Sequence, residues 1–143
     1  SKEFTTEDGN TFSDENLIMN GAEVFNFSIS EEPNAIKELI KFSQKNIEDI
    51  DYFIFHQANK YILSNIARRL KVSNEKVPMG TVEKFGNQSS VSIPCTINDS
   101  IGHDLVSNNK SVILSGFGVG LSWASCIATL NLEYCPKVLV CKE

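Results

Sequence analysis

No apolar run in this sequence approaches the ~18–20 residues that a membrane-spanning helix needs. The N-terminus, Ser1-Lys2-Glu3-Phe4, lacks the apolar core of a signal peptide. Histidine is scarce, with two in the chain, and none of the four cysteines (Cys95, Cys126, Cys135, Cys141) stands in a Cys-x-x-Cys pair. A zinc site needs ligands clustered at short spacing, so a metal centre is not expected. Positive charge is in the minority: 13 Lys and Arg face 18 Asp and Glu, a formal net charge of −5. Wholesale nucleic-acid binding through a basic surface does not fit that balance. The cysteines read as reduced, mostly buried thiols, and the expected compartment is cytoplasmic. The first residue is Ser1 rather than Met, which fits a processed chain, a trimmed tag or a fragment.

What is present suits one domain. The chain has 143 residues, 41% hydrophobic and 22% charged, near the average for a globular protein and far from general disorder. Residues 1–16 are polar, with an Asp8-Gly9 turn signal, and read as an irregular arm or a hairpin. Leu17-Ile18-Met19 is a short apolar run ended by Asn20-Gly21, and Val24, Phe25 and Phe27 form an apolar cluster. Ser30-Glu31-Glu32-Pro33 reads as a helix start: a small hydroxyl, then acids, then a proline in the first turn. Ile36, Leu39 and Ile40 continue it as one stripe, and Asn46 ends it.

Asp51–Phe55 is a continuous apolar and aromatic run, as in a strand covered on both faces. A second helix begins near Ala58, with Ile62, Leu63, Ile66, Ala67 and Leu70 inward and Arg68, Arg69 and Lys71 at its end. Val77-Pro78-Met79-Gly80 breaks that pattern. A third helix carries Ile93, Ile97, Ile101 and Leu105 at intervals of four, and Asn108-Asn109 ends it. Ser111–Ser115 is another buried strand, Gly116–Gly120 a glycine-rich turn, and Leu121–Leu130 a last long strand. This alternation predicts an α/β layered fold with a largely parallel sheet. His103 reads as surface, and Trp123 as core.

Three segments attract chemistry. His56-Gln57-Ala58-Asn59 directly follows a strand, where α/β sheets form their sites. Gly86-Asn87-Gln88-Ser89-Ser90 allows a tight backbone approach and offers an amide donor. Gly116-Phe117-Gly118-Val119-Gly120 can turn backbone N–H groups toward a ligand oxygen. Each has a plainer reading: a structural His, an Asn capping the next helix, a turn between strands. Together, a His and an Asn donor can polarise a carbonyl and stabilise the enolate that develops on it. Such chemistry suits thioesters and needs a nucleophile, usually Cys, to hold the acyl group.

Here the sequence resembles a known family. Asn20-Gly21-Ala22-Glu23-Val24-Phe25, His56-Gln57-Ala58-Asn59, Gly86-Asn87-Gln88-Ser89-Ser90 with Ser92-Ile93-Pro94, and Gly116–Trp123 match, in order and spacing over roughly residues 17–130, the C-terminal half of β-ketoacyl-acyl-carrier-protein synthase III, of the thiolase superfamily. The resemblance implies a thiolase-like half, a layered sheet with helices on both faces, over residues 17–143. It implies a Cys-His-Asn catalytic set in which His56 and Asn87 polarise the malonyl thioester and favour its decarboxylation. Phe117 would lie beside the nucleophile and Gly118-Val119 at the oxyanion pocket, with the Val119 N–H as donor. The family often has Gly at the position of Val119. The nucleophilic Cys belongs to the other half, and none of the four here is expected to replace it.

The implied substrates are acyl-CoA and malonyl-acyl-carrier protein, with no cofactor, in fatty acid biosynthesis. The implied partners are the carrier protein, the N-terminal half and a second copy in a homodimer. Lys60, Arg68, Arg69 and Lys71 form a basic cluster that could steer an acidic carrier, although Tyr61 stands where the family commonly has Arg. The isolated chain is expected to be inactive, and to self-associate or be marginally stable. Two other readings stay open: a secondary-metabolite acyltransferase working on oxygen or nitrogen, and a non-catalytic dimerisation or carrier-binding module. Plant-type polyketide synthases share the glycine turn but lack His-Gln-Ala-Asn.

Overall fold

A computed structural model describes residues 2–13, 15, 16, 19–136, 138 and 139. Leu17, Ile18 and Cys141 lie outside the described residues. The polar arm holds a hairpin, β1 (Glu3–Thr5) and β2 (Thr11–Ser13), whose antiparallel register pairs Thr5 with Thr11. Gly9 sits in its turn at φ 84°, backbone that glycine adopts without strain.

Helix α1 (Gly21–Ser43) begins well before the expected Ser30. Asn20 caps it, accepting from the Glu23 N–H at 3.2 Å. Ser30–Pro33 is therefore mid-helix, and Pro33 is a buried interior proline. Such a proline removes one backbone bond and costs about 3 kcal/mol. Apolar burial on both sides of it outweighs that cost: Phe25 and Ile40 pack against the core that contains Ile36. The helix ends at Ser43, with Gln44 left-handed at φ 57°.

Strand β3 (Tyr52–Phe55) pairs in parallel with β4 (Lys110–Gly118), which pairs antiparallel with β5 (Ser122–Leu130). The sheet is thus mixed rather than largely parallel, because the short link after β4 can only reverse the chain. The expected glycine turn is shorter than read. Gly116–Gly118 belong to β4, and the reversal falls at Val119-Gly120-Leu121.

Side chains alternate across this sheet and build two cores. Phe53, Phe55 and Ile113 join Ile36 of α1 and Ile62, Leu63 and Ile66 of α2 (Lys60–Leu70). Ile54 and Val112 face the other way, onto Ile101 and Leu105. Helices therefore cover both faces. Asn59 caps α2, accepting from the Ile62 N–H at 2.8 Å. Asn59→Ala is expected to cost about 1 kcal/mol; a denaturant midpoint that does not move would contradict this.

A short α3 (Gly80–Phe85) was not legible in the sequence. The third helix is continuous but not uniform: α4 (Ser92–Thr96), a π turn (Ile97–Ile101) and α5 (Gly102–Leu105). Apolar residues spaced by four drift about 40° per step around a 3.6-residue helix. The wider π turn takes up that drift and keeps Ile101 and Leu105 on the sheet. Asn108 closes the end, its Nδ2 donating to the carbonyls of Asp104 and Val106. A Cβ at Gly102 would run into the Cys135 sulfur, so that glycine lets the tail seat against the π turn.

Two sequence expectations need correction. Cys126 is exposed on β5, and Cys95 and Cys135 are half-buried, so the described thiols are free but not mostly buried. Trp123 is 45% exposed rather than core, because it lies on the outer strand, where its ring meets the edge of Phe27 at 5.1 Å. His103 is exposed, as expected.

Candidate active site

The carboxyl end of β3 delivers His56. Its backbone N–H donates to the Ser115 carbonyl of β4 at 2.9 Å, extending the parallel ladder by one bond. Its ring is half-buried, with Nδ1 2.8 Å from the Ser92 hydroxyl at the start of α4. Phe117 of β4 meets the imidazole edge-on, at 5.5 Å and 88°. Burial holds the imidazole below its ordinary value, opposed by a backbone hydrogen bond at Ser89. The ring is therefore neutral near pH 7 and keeps one N–H to donate.

The loop before α4 turns back on this ring. Gly86 (φ 69°) and Ser89 (φ 51°) both adopt left-handed backbone, so the chain reverses tightly. The Asn87 side chain is exposed, and its Oδ1 accepts from the Ser89 N–H at 2.9 Å. Its oxygen being spent on that bond, the NH₂ end is the part free to donate outward. The capping reading of Asn87 and the donor reading are thus compatible. The same loop carries both contacts: Ser89 donates its N–H to Asn87, and Ser92, three residues on, meets the His56 ring.

Gln57 is fully buried, and its amide donates to the carbonyls of Phe55 at 3.1 Å and Pro78 at 3.2 Å. It locks the backbone around His56 to the segment entering α3. The sequence alone does not single out Ser92 as the partner of the His56 ring, nor Gln57 as the residue that fixes the backbone beside it. A polar residue one position from a strand-end His is the signal that was available.

His56, the Asn87 loop and Phe117 come together; other candidates do not. Gly118 ends β4, and Val119 is 93% exposed in the reversal, two residues or ~7 Å of strand beyond the Phe117 contact with His56. The basic residues split into two groups. Lys60 opens α2 and pairs with Glu83 at 2.7 Å, whereas Arg68, Arg69 and Lys71 sit about 12 Å along the helix at its other end. Arg68 donates to Asn65 at 2.6 Å. Sequence proximity misled here because one helix carries both groups on opposite ends. Tyr61 is exposed and stacks on Phe25 at 5.4 Å.

A mixed sheet with helices on both faces, and a His at the end of its parallel strand, defines the class: a thiolase-like α/β half. Residues 40–130 match the family model for the C-terminal region of 3-oxoacyl-[acyl-carrier-protein] synthase III. The chain is 40% identical over 116 residues to beta-ketoacyl-[acyl-carrier-protein] synthase III of Streptococcus gordonii, covering 80% of this chain and 36% of that protein. A crystal structure of 3-oxoacyl-(acyl-carrier-protein) synthase III superposes with a TM-score of 0.82 at 35% identity, covering 92% of this chain and 38% of the other. The synthase from Burkholderia xenovorans gives 0.83 at 31% identity, covering 88% and 36%. The chain belongs to the 3-oxoacyl-[acyl-carrier-protein] synthase III family, matching its C-terminal region. It spans little more than a third of the length of the relatives it matches.

Proposed function

We propose that this chain is the C-terminal catalytic half of a condensing enzyme that joins an acyl-CoA primer to malonyl-acyl-carrier protein, in fatty acid biosynthesis. The observation that carries this is a half-buried imidazole, His56, held by the Ser92 hydroxyl and the Phe117 edge at the end of β3, with Asn87 on the loop that leads to Ser92 and its amide NH₂ left to donate. Both donate to the thioester carbonyl of the malonyl group. The malonyl carboxylate leaves as CO₂, and the electron pair of the broken C–C bond becomes an enolate held by the two donors. The enolate carbon attacks an acyl group held as a thioester on a Cys of the N-terminal half. The Val119 N–H would serve as the oxyanion donor for that second carbonyl, and the Cys thiolate leaves. No cofactor takes part. Residues 1–16 would be an arm, and 17–143 the catalytic half-domain.

Supporting an incomplete unit, Phe42, Tyr61, Val91, Val119 and Leu121 are exposed apolar side chains. The N-terminal half and a second copy would cover such surface in a homodimer, and the isolated chain would self-associate. Among the described residues no helix is long and apolar enough to cross a membrane, which accords with work in the cytoplasm. Carrier docking would rest on Lys60 near the site, with Arg68, Arg69 and Lys71 steering from farther away.

Intact mass of the longer polypeptide containing this chain, after incubation with acyl-CoA, tests the reading. An acyl adduct on a Cys outside this chain, discharged by malonyl-carrier protein as a β-ketoacyl product, supports it. An adduct that malonyl-carrier protein cannot discharge would point to an oxygen- or nitrogen-acyltransferase. No adduct would leave a non-catalytic module.

A further inference from the structure

Helix α1 buries a carboxyl that the proposed chemistry does not use. Glu32 is fully buried, mid-helix, over strands β4 and β5. The Ser115 hydroxyl donates to its Oε1 at 2.9 Å, and the Ser115 and Ser125 hydroxyls are 2.8 Å apart. A hydroxyl has one hydrogen. With that of Ser115 given to Glu32, Ser125 must donate to Ser115. The chain of bonds therefore runs Ser125 to Ser115 to Glu32 and ties the helix to both strands. The second oxygen, Oε2, is buried without a hydrogen-bond partner among the described residues.

The tie falls level with the site. Ser115 is the residue whose carbonyl accepts the His56 N–H. A Cβ added at its neighbour Gly116 would stand in van der Waals contact with the His56 Cβ, and Phe117 follows on the imidazole edge. The same helix sets Phe27 edge-on to Phe117 at 6.1 Å. Anything that lifts α1 from β4 here shifts the wall against which the imidazole rests.

We propose that Glu32 is a positioning residue: through Ser115 it holds the β4 segment that seats His56, and it does so in its neutral form. This deepens the reading of His56 given above and rests on it. A buried carboxylate with one neutral donor is poorly compensated, and the neutral acid, even with its Oε2 unpartnered among the described residues, costs less to bury than the charge. Consistently, burial raises this carboxyl to about 7, the Ser115 bond opposing. Among the described residues no charged group faces it. On β4, Lys110 pairs with Asp104 at 3.2 Å. On α2, Lys60 pairs with Glu83, Arg68 turns to Asn65, and Arg69 is exposed. Of the titratable groups of β5, Cys126 is on the neighbouring, opposite-facing position to Ser125. On α1 itself, Glu31, Lys37 and Glu38 line the outer groove beside Trp123.

The test uses the two imidazoles of the chain as reporters, since exposed His103 serves as an internal control. Imidazole NMR signals are followed from pH 5 to 9 in the wild type, Glu32→Gln and Glu32→Leu. The expected result is a second inflection at His56 near pH 7 in the wild type, absent from both variants and from His103. Glu32→Gln should leave the His56 signal near its wild-type acid position; Glu32→Leu, which cannot bond Ser115, should displace it. In the longer polypeptide, Glu32→Leu should lower kcat between about tenfold and a hundredfold with little change in KM, and Glu32→Gln should restore it. Identical His56 titrations in all three proteins would overturn the proposal, as would a Glu32→Gln variant as slow as Glu32→Leu. The NMR result does not require turnover. A wild type without condensing activity but with the second inflection would therefore fail the functional reading while retaining the tie.

Discussion

His56→Ala is expected to lower condensation by roughly 10²–10³-fold in the longer polypeptide, the usual cost of removing one donor to a developing oxyanion. Acylation of the nucleophile by acyl-CoA should persist, because that step does not use the malonyl donor. Asn87→Ala should behave alike, and the double variant should lose less than the product of the two, since both donors serve one carbonyl. Folding should be intact: His56 is half-buried and Asn87 exposed, so neither fills the core. Turnover measured alongside a circular dichroism melt checks this. Turnover within threefold of wild type for both variants would remove the catalytic assignment. The pH dependence has a definite sign. Burial lowers the imidazole, so the neutral donor persists down to its ordinary value of about 6.5 and is lost only below it. The acid limb should therefore belong to His56, and disappear with His56→Ala. The folded-state value being depressed, the native protein resists protonating this ring, and stability falls as pH drops below that of the unfolded His.

The second large effect is on stability. Phe53 is fully buried on the α1–α2 side of β3. Phe53→Ala removes a ring from a packed layer and leaves a cavity, at a cost of about 3–5 kcal/mol. Domains of this size have about 5–15 kcal/mol in total, so roughly a fifth or more of the margin goes with one side chain. A denaturant titration should show a lower midpoint with unchanged slope. A loss below about 1 kcal/mol would mean that the two-core description of the sheet is wrong. The same variant should lower turnover at elevated temperature first, because β3 ends at His56.

Much of this was legible locally. Tyr52–Phe55 reads as a doubly covered strand because every residue is apolar, and its side chains do fill both cores. Ile62, Leu63, Ile66 and Leu70 announce α2 by spacing alone, and all are buried. His56 and Asn87 stand out because a His after a strand and an Asn after a Gly occupy positions that sheets and tight loops use. Three features were not legible. The start of α1 at Gly21 was hidden because Ser30-Glu31-Glu32-Pro33 imitates a first turn, and only packing of Phe25 and Phe27 shows that the helix is already under way. The exposure of Trp123 depends on β5 being the outer strand. Glu32 looked like a first-turn acid, while its partner Ser115 lies 83 residues away.

By itself, then, the sequence determined most of the elements, the strand that carries His56 and the residue types that do chemistry. These are set by periodicity, capping and turn preference, which act over a few residues. Tertiary structure alone decided which of them meet. Parallel pairing of β3 with β4 places Phe117 on the imidazole. The reversal at Gly86 and Ser89 leads the Asn87 loop into Ser92, whose hydroxyl meets the ring. Burial beneath α1 turns an ordinary glutamate into one that is half-neutral at about pH 7. Those outcomes depend on sterics and desolvation between residues far apart in the chain, and no local pattern encodes them.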